Sequence, residues 1–177
     1  TLYYYAADAV MESGVYSLGS AELLYHQPGN AMLYISAEGN YVASLRDGQV
    51  TLLDANDGFS IMGTLNGDKV IHNPFQDAEL FVCSPISIRK YTLPDLGTYS
   101  EFMHNLNLPN TSYDPFTDRF LVKAYPGPAD TIGYILDRSS RMIADTILLE
   151  PSLYRYDFTL MNNTLYAPQG VKLNLEE

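Results

Sequence analysis

Two phrases forty-one positions apart constrain this chain more than any other feature. Ile71–Pro85 reads IHNPFQDAELFVCSP and Ser112–Pro126 reads SYDPFTDRFLVKAYP. Each runs through Asx, Pro and Phe, a polar turn and a short apolar run. A unit of about forty residues written more than once is the mark of a repeat architecture, in which no single unit buries its own apolar surface and neighbours must stack.

Aligned on these phrases, the chain divides into a partial unit over 1–30, units over 31–68, 69–110 and 111–150, and a partial unit over 151–177. The first complete unit reads AMLYIS, NYVASL, QVTLLDA and FSIMGTL, separated by AEG, RDG and NDG. Short apolar runs between Gly, Pro, Asn and Asp clusters are strand signals. Tyr154, Tyr156, Phe158 and Leu160 alternate onto one face, as do Phe59, Ile61 and Leu65, which predicts half-buried strands. Helical spacing is confined to Ala6–Ser13, enough for a turn or two. The fifteen Tyr and seven Phe suit strands.

Four antiparallel strands at this period predict an all-β fold, a β-propeller of four-stranded blades, with about four blades recognisable. Asp47-Gly48 and Asp57-Gly58 are tight-turn dipeptides, because glycine accepts positive φ without a steric penalty. Leu2–Ala6, Val15–Leu18 and Glu22–His26 read as the later strands of a preceding blade. Glu22–His26 could complete the blade begun at Ser152 and close a small ring. Otherwise the chain belongs to a larger ring, with open strand edges that invite self-association.

The repeated phrase places Asn73, Asp114 and Asp157 at equivalent positions, the end of the innermost strand. An Asx side chain there can accept a hydrogen bond from the backbone two residues on. The competing reading is a ring of carboxylates near the central channel, binding a cation or acting as acid and base. Two further binding elements are predicted: the Pro-braced loop with Tyr125, Pro126 and Asp130, and the segment with Asn105 and Asn107. Tyrosine and proline offer a rigid amphipathic contact surface.

The net charge of −11 opposes binding to phosphate backbones, so no nucleic-acid partner is expected. No apolar run approaches the roughly 18 residues of a membrane span. Cys83, the single cysteine, sits in an apolar run and reads as a buried small hydrophobe. His26, His72 and His104 lack ligand spacing, so neither a metal nor a cofactor is expected. Asp54, Asp57, Asp77, Asp95, Asp118 and Asp137 fall at turns and read as turn caps. No nucleophile elbow, phosphate loop or dinucleotide fingerprint occurs. The acidic charge, few lysines and sequons at Asn110 and Asn162 point to an extracytoplasmic, secreted or periplasmic, setting.

The phrase NYVASLRDGQVTLLDANDGFSIMGTL, Asn40–Leu65, resembles the WD-repeat and quinoprotein-like propeller superfamily, and 78–104 and 119–149 follow its spacing. Leu53-Asp54 and Leu136-Asp137 stand where WD repeats carry Trp-Asp, and this chain has no Trp. The resemblance implies a rigid ring with loops on two faces that holds a partner. The expected function is a non-enzymatic scaffold that binds a protein, or a glycan stacked on tyrosines. The alternative is a propeller glycoside hydrolase or lyase with carboxylates at the channel, which would need two of them facing across a cleft.

Overall fold

The computed structural model describes residues 2–7, 12–104, 110–124, 131–139, 142–149, 159–166 and 172–174. Its strands are β1 (Leu2–Ala7), β2 (Glu12–Ser17), β3 (Leu23–Pro28), β4 (Met32–Ile35), β5 (Tyr41–Arg46), β6 (Gln49–Asp54), β7 (Ser60–Asn66), β8 (Lys69–His72) and β9 (Glu79–Cys83). They continue as β10 (Ser87–Thr92), β11 (Asp95–Met103), β12 (Asn110–Asp114), β13 (Arg119–Ala124), β14 (Thr131–Asp137), β15 (Met142–Leu149), β16 (Thr159–Met161), β17 (Thr164–Tyr166) and β18 (Lys172–Asn174). A single 3₁₀ turn, Ala55–Asp57, is the one helical element among the described residues.

Every sheet follows the order of the chain. β4-β5-β6-β7, β8-β9-β10-β11 and β12-β13-β14-β15 are four-stranded, and β1-β2-β3 and β16-β17-β18 are three-stranded. Local hairpins explain this, and the turn chemistry explains the hairpins. Arg46 pairs with Gln49 around Asp47 (φ 50°) and Gly48 (φ 77°), the positive φ pair that matches strand twist. Asn162 (φ 48°) and Asn163 (φ 54°) do the same between Met161 and Thr164. Asp54 accepts a hydrogen bond from Asn56 N (2.9 Å) to cap the 3₁₀ turn, which ends on Gly58 in the left-handed region.

The chain divides into two compact units, residues 1–82 with 89–100, and residues 83–88 with 101–177. In the first, Val15, Leu33, Val42 and Leu53 form one buried cluster. Ala43, Leu45, Val50 and Leu52 meet Val70, Leu80, Val82, Tyr91 and Leu93 in another. Val42 and Ala43, like Leu52 and Leu53, therefore point to opposite faces of one sheet and are buried on both. Sheets covered on both faces read as continuous apolar runs, which is why ELFVC (β9) is buried throughout instead of alternating. In the second unit Leu121, Ile135, Leu160 and Leu165 join β13 and β14 to β16 and β17.

Two expectations are corrected. Ala6 and Ala7 lie in β1, paired with Ser13 and Glu12 of β2, so the described residues of the Ala6–Ser13 stretch are strand. A helix this short pays nucleation without propagation, and a neighbouring strand outcompetes it. Phe59, Ile61 and Leu65 do not share a buried face. The register shifts between Leu52 and Leu53, leaving Met62 as an extra residue in β7; Met62 and Leu65 pack on one core, Phe59 on the other, and Ile61 is 70% exposed. Glu22–His26 overlaps β3 (Leu23–Pro28), which is hydrogen-bonded to β2 within the first unit, and β16-β17-β18 is a three-stranded sheet of the second.

Candidate functional site

The repeated Asx residues lie where the phrase puts them, at the end of the first strand of a sheet, and both are buried. Asn73 Oδ1 accepts from Phe75 N (2.9 Å), and Asp114 Oδ1 accepts from Phe116 N (3.0 Å). The backbone two residues on is thus capped in both hairpins by the same oxygen. Ser36 holds the matching place after β4: its N–H donates to Tyr41 O (3.0 Å) and its Oγ accepts from Tyr41 N (3.0 Å). Asn73 N likewise donates to Glu79 O (3.1 Å), while Asn73 Nδ2 donates to Glu79 Oε1 (2.9 Å). Glu79, itself buried, forms an ion pair with Lys90.

Asp114 also joins two sheets. Oδ2 accepts from Thr117 Oγ1 (2.7 Å) and from Asn163 N (3.0 Å), in the β16–β17 turn. Burial works against its charge, but the hydrogen bonds from Thr117, Asn163 N, Asn162 N and Phe116 N outweigh it and hold the carboxyl below the usual carboxylate range. Asp77, four residues after Asn73, makes a parallel link. It accepts from Glu38 N (2.6 Å) and Asn40 Nδ2 (2.9 Å) in the β4–β5 turn. Its pKa is also lowered: desolvation opposes this, and hydrogen bonds from Ser36, Glu38 and Asn40 with the nearby His72 prevail. Asp118 holds the same place after Asp114, accepting from Tyr113 Oη (2.9 Å) and pairing with Arg138 Nε (2.9 Å).

Asp157 lies outside the described residues, as do Tyr125, Pro126, Asp130, Asn105 and Asn107. Burial, opposed by the charge of Asp77 and a hydrogen bond to the Tyr34 backbone, lowers the pKa of His72 to about 4. Cys83 is buried in β9. Among the described residues no three His, Cys, Asp or Glu side chains gather as metal ligands.

The side chains the sequence reading passed over are Phe75 and Phe116. They follow proline in the two capped turns and are 60% and 57% exposed. The signal was in the repeated phrase itself: an Asx cap fixes the turn, and the third residue is carried outward.

No protein-family model matches this sequence, and no curated protein matches it. Solved structures do. The Myceliophteria thermophila Cps50 (Swd1) β-propeller domain superposes with a TM-score of 0.60 at 15% identity, over 82% of this chain and 51% of that one. Kluyvelomyces marxianus Hsv2 gives 0.67 at 8% identity, over 98% and 56%. Dihydro-heme d1 dehydrogenase NirN in complex with DHE gives 0.67 at 16% identity, over 97% and 42%. The fold is a β-propeller. The chain spans about half the length of the solved structures it matches.

In β6–β7 and β14–β15, the third and fourth strands of their blades, the register shifts once, between Leu52 and Leu53 and between Ile135 and Leu136. The same shift occurs in β2–β3, between Val15 and Tyr16, and Leu23 and Leu24 of β3 are exposed. Leu53-Asp54 and Leu136-Asp137 each close a third strand, the place the resemblance gave them.

Proposed function

We propose that this chain is a non-enzymatic β-propeller scaffold that binds a protein partner through its blade turns. The observation behind the proposal is the pair Phe75 and Phe116, each more than half exposed on a turn that an Asx cap and a proline hold rigid. Leaving a phenylalanine in water forgoes about 1.5–3 kcal/mol of burial. An aromatic side chain on a preorganised turn costs little entropy to dock, and aromatic residues are enriched in interface cores. Asp114 and Asp77 are committed to backbone and side-chain donors of neighbouring hairpins, which supports a structural role for them over that of a general acid or base.

The neighbours in fold include both a dehydrogenase and an initiation factor, so likeness of fold does not select among these functions. The test is site-specific photocrosslinking. A crosslinking amino acid is placed at Phe75, at Phe116 and, as control, at the exposed Ile61 of an outer strand. The proposal requires one protein captured at a phenylalanine site and not at Ile61, and lost from Phe75→Ser or Phe116→Ser. Equal capture at Ile61, or binding seen only on a glycan array, would overturn it.

A further inference from the structure

A cavity of about 200 Å³ opens between the blade of β12–β15 and the sheet β16–β18, lined by Arg119, Ile135, Ala144, Asp145, Leu160 and Asn163. Its chemistry is divided. Ile135, Ala144 and Leu160 supply an apolar floor, and a cation and an anion stand on the same lining. Arg119 is the notable member. The chain carries 21 acidic residues against 10 basic ones, and the ladder partners of Arg119 are Asp114 and Asp137. Asp114 nevertheless spends its oxygens on Phe116 N, Thr117 Oγ1 and Asn163 N. The hydrogen bond the guanidinium makes among the described residues goes to a neutral acceptor, Asn163 Oδ1 (3.2 Å). A guanidinium presents five N–H donors in a fork that suits a carboxylate. In a protein this acidic, such a group with no carboxylate of its own, facing a cavity, is prepared for a carboxylate from outside.

Asp145 decides what else that ligand carries. Leu121, Ile135 and Asp145 are successive partners across the sheet, and Arg119 is two residues from Leu121 on the same face. Arg119 and Asp145 therefore lie on one face of the blade, with Ile135 between them. The Asp145 carboxylate is on the surface, with one oxygen accepting from Thr146 N (2.7 Å). A plain anion would be repelled by it.

We infer that this cavity binds a small zwitterion of the amino-acid class, its carboxylate on Arg119, its ammonium on Asp145 and its methylenes over Ile135, Ala144 and Leu160. At roughly 30 Å³ per water-sized group, the space suits a ligand of about seven non-hydrogen atoms. This is independent of the partner-binding proposal, since neither Phe75 nor Phe116 lines the cavity.

The test is calorimetric titration of the whole chain with a ladder of ω-amino acids from glycine to 6-aminohexanoate, beside acetate and propylamine. One rung should bind at least roughly tenfold tighter than acetate, a difference of about 1.4 kcal/mol. Asp145→Asn should bring that rung down to the level of acetate, with acetate itself bound no more weakly than before. Arg119→Gln should abolish both. Because Arg119 also bonds Asn163, circular dichroism checks that this variant is folded; Asp145→Asn leaves that bond in place and decides the matter alone if it is not. A flat ladder, or a preferred rung indifferent to Asp145→Asn, would sink the inference.

Discussion

Asp114 offers the sharpest separation between a structural and a catalytic carboxylate. It is 0% exposed and its oxygens accept from Phe116 N, Thr117 Oγ1 and Asn163 N. Asp114→Ala strands two backbone N–H groups in that buried site. Each unsatisfied buried donor costs about 1–3 kcal/mol, and the threonine hydroxyl can turn towards water. We therefore expect a loss of about 3–5 kcal/mol, which for a chain of this size lowers the melting temperature by roughly 6–20 °C. Asp114→Asn keeps the oxygen that caps Phe116, as Asn73 does in the preceding blade, but turns an amide towards Asn163 N. That variant should lose about 1–2 kcal/mol. Thermal unfolding followed by far-UV circular dichroism reads both. The acid limb adds a sign. A carboxyl whose folded pKa is depressed contributes stability above its unfolded value, about 3.9, and loses it as pH falls through the folded value. Asp114→Ala should thus flatten the stability curve below about pH 4. If Asp114→Ala melts within a degree of the wild type, the carboxylate is not a structural tie and the reasoning fails.

Four further outcomes are expected. Asp77→Ala frees Glu38 N and Asn40 Nδ2 at a partly exposed site where water can substitute, so the loss should be about 1 kcal/mol in chemical denaturation. His72 stays neutral when folded down to about pH 4, while the unfolded side chain takes a proton near 6.5. Stability should therefore fall by up to about 3 kcal/mol as pH drops from 6.5 to 4, and His72→Leu should remove that slope in a pH series of urea titrations. Gly48→Ala meets only Asp68 Oδ1, at 3.8 Å, so its cost is conformational, about 1–2 kcal/mol at positive φ, visible as a lower urea midpoint. Phe75→Ser and Phe116→Ser should lower the melting temperature only slightly while abolishing partner capture, because each ring is more than half exposed.

The propeller was legible because its information is local. Asp47-Gly48 forms the predicted hairpin because a two-residue turn is decided by the φ its own residues accept. The Asx caps of Asn73 and Asp114 were legible for the same reason, since donor and acceptor are two residues apart. What depends on distant strands was not. Ile61 faces water because of one extra residue in β7, and a bulge leaves no compositional trace in MGTL. Asp77 reads as another turn aspartate until the β4–β5 turn is brought beside it, although Asp77 and Asp118 stand at the same spacing behind their Asx residues. The pairing of Ala6 and Ala7 with β2 overrode a weak helical spacing, since propensity over eight residues is small beside a sheet partner. The Arg119–Asp145 cavity was beyond reach because its lining comes from β13, β14, β15 and the β16 hairpin together.

These ties also bear on what the turns can do. Between β4–β7 and β8–β11, Asp77 fastens the first hairpin of one blade to that of the next; between β12–β15 and β16–β18, Asp114 does the same through Asn163. Both ties fall at the end of the blade where the Asx-Pro-Phe turns lie. A propeller held by apolar packing alone would still stack its sheets, through Leu52 against Leu80 or Leu121 against Leu160, but such contacts have no direction and tolerate sliding. Hydrogen bonds from one turn to the next fix the sheets in register at that end. Asn73 and Asp114 then hold Phe75 and Phe116 at a set height above it. Under the proposed function, the buried polar residues and the exposed aromatic ones act together: the first restrain the turns, and the second lose less entropy when a partner docks. Asp114→Asn separates the two roles experimentally. It keeps the cap on Phe116 and weakens the tie to Asn163, so it should cost stability while leaving capture at Phe116 intact. Asp114→Ala, which loses the cap as well, should impair capture at Phe116 even at temperatures where the fold persists. Equal capture by the two variants would show that the cap has no part in presenting the ring.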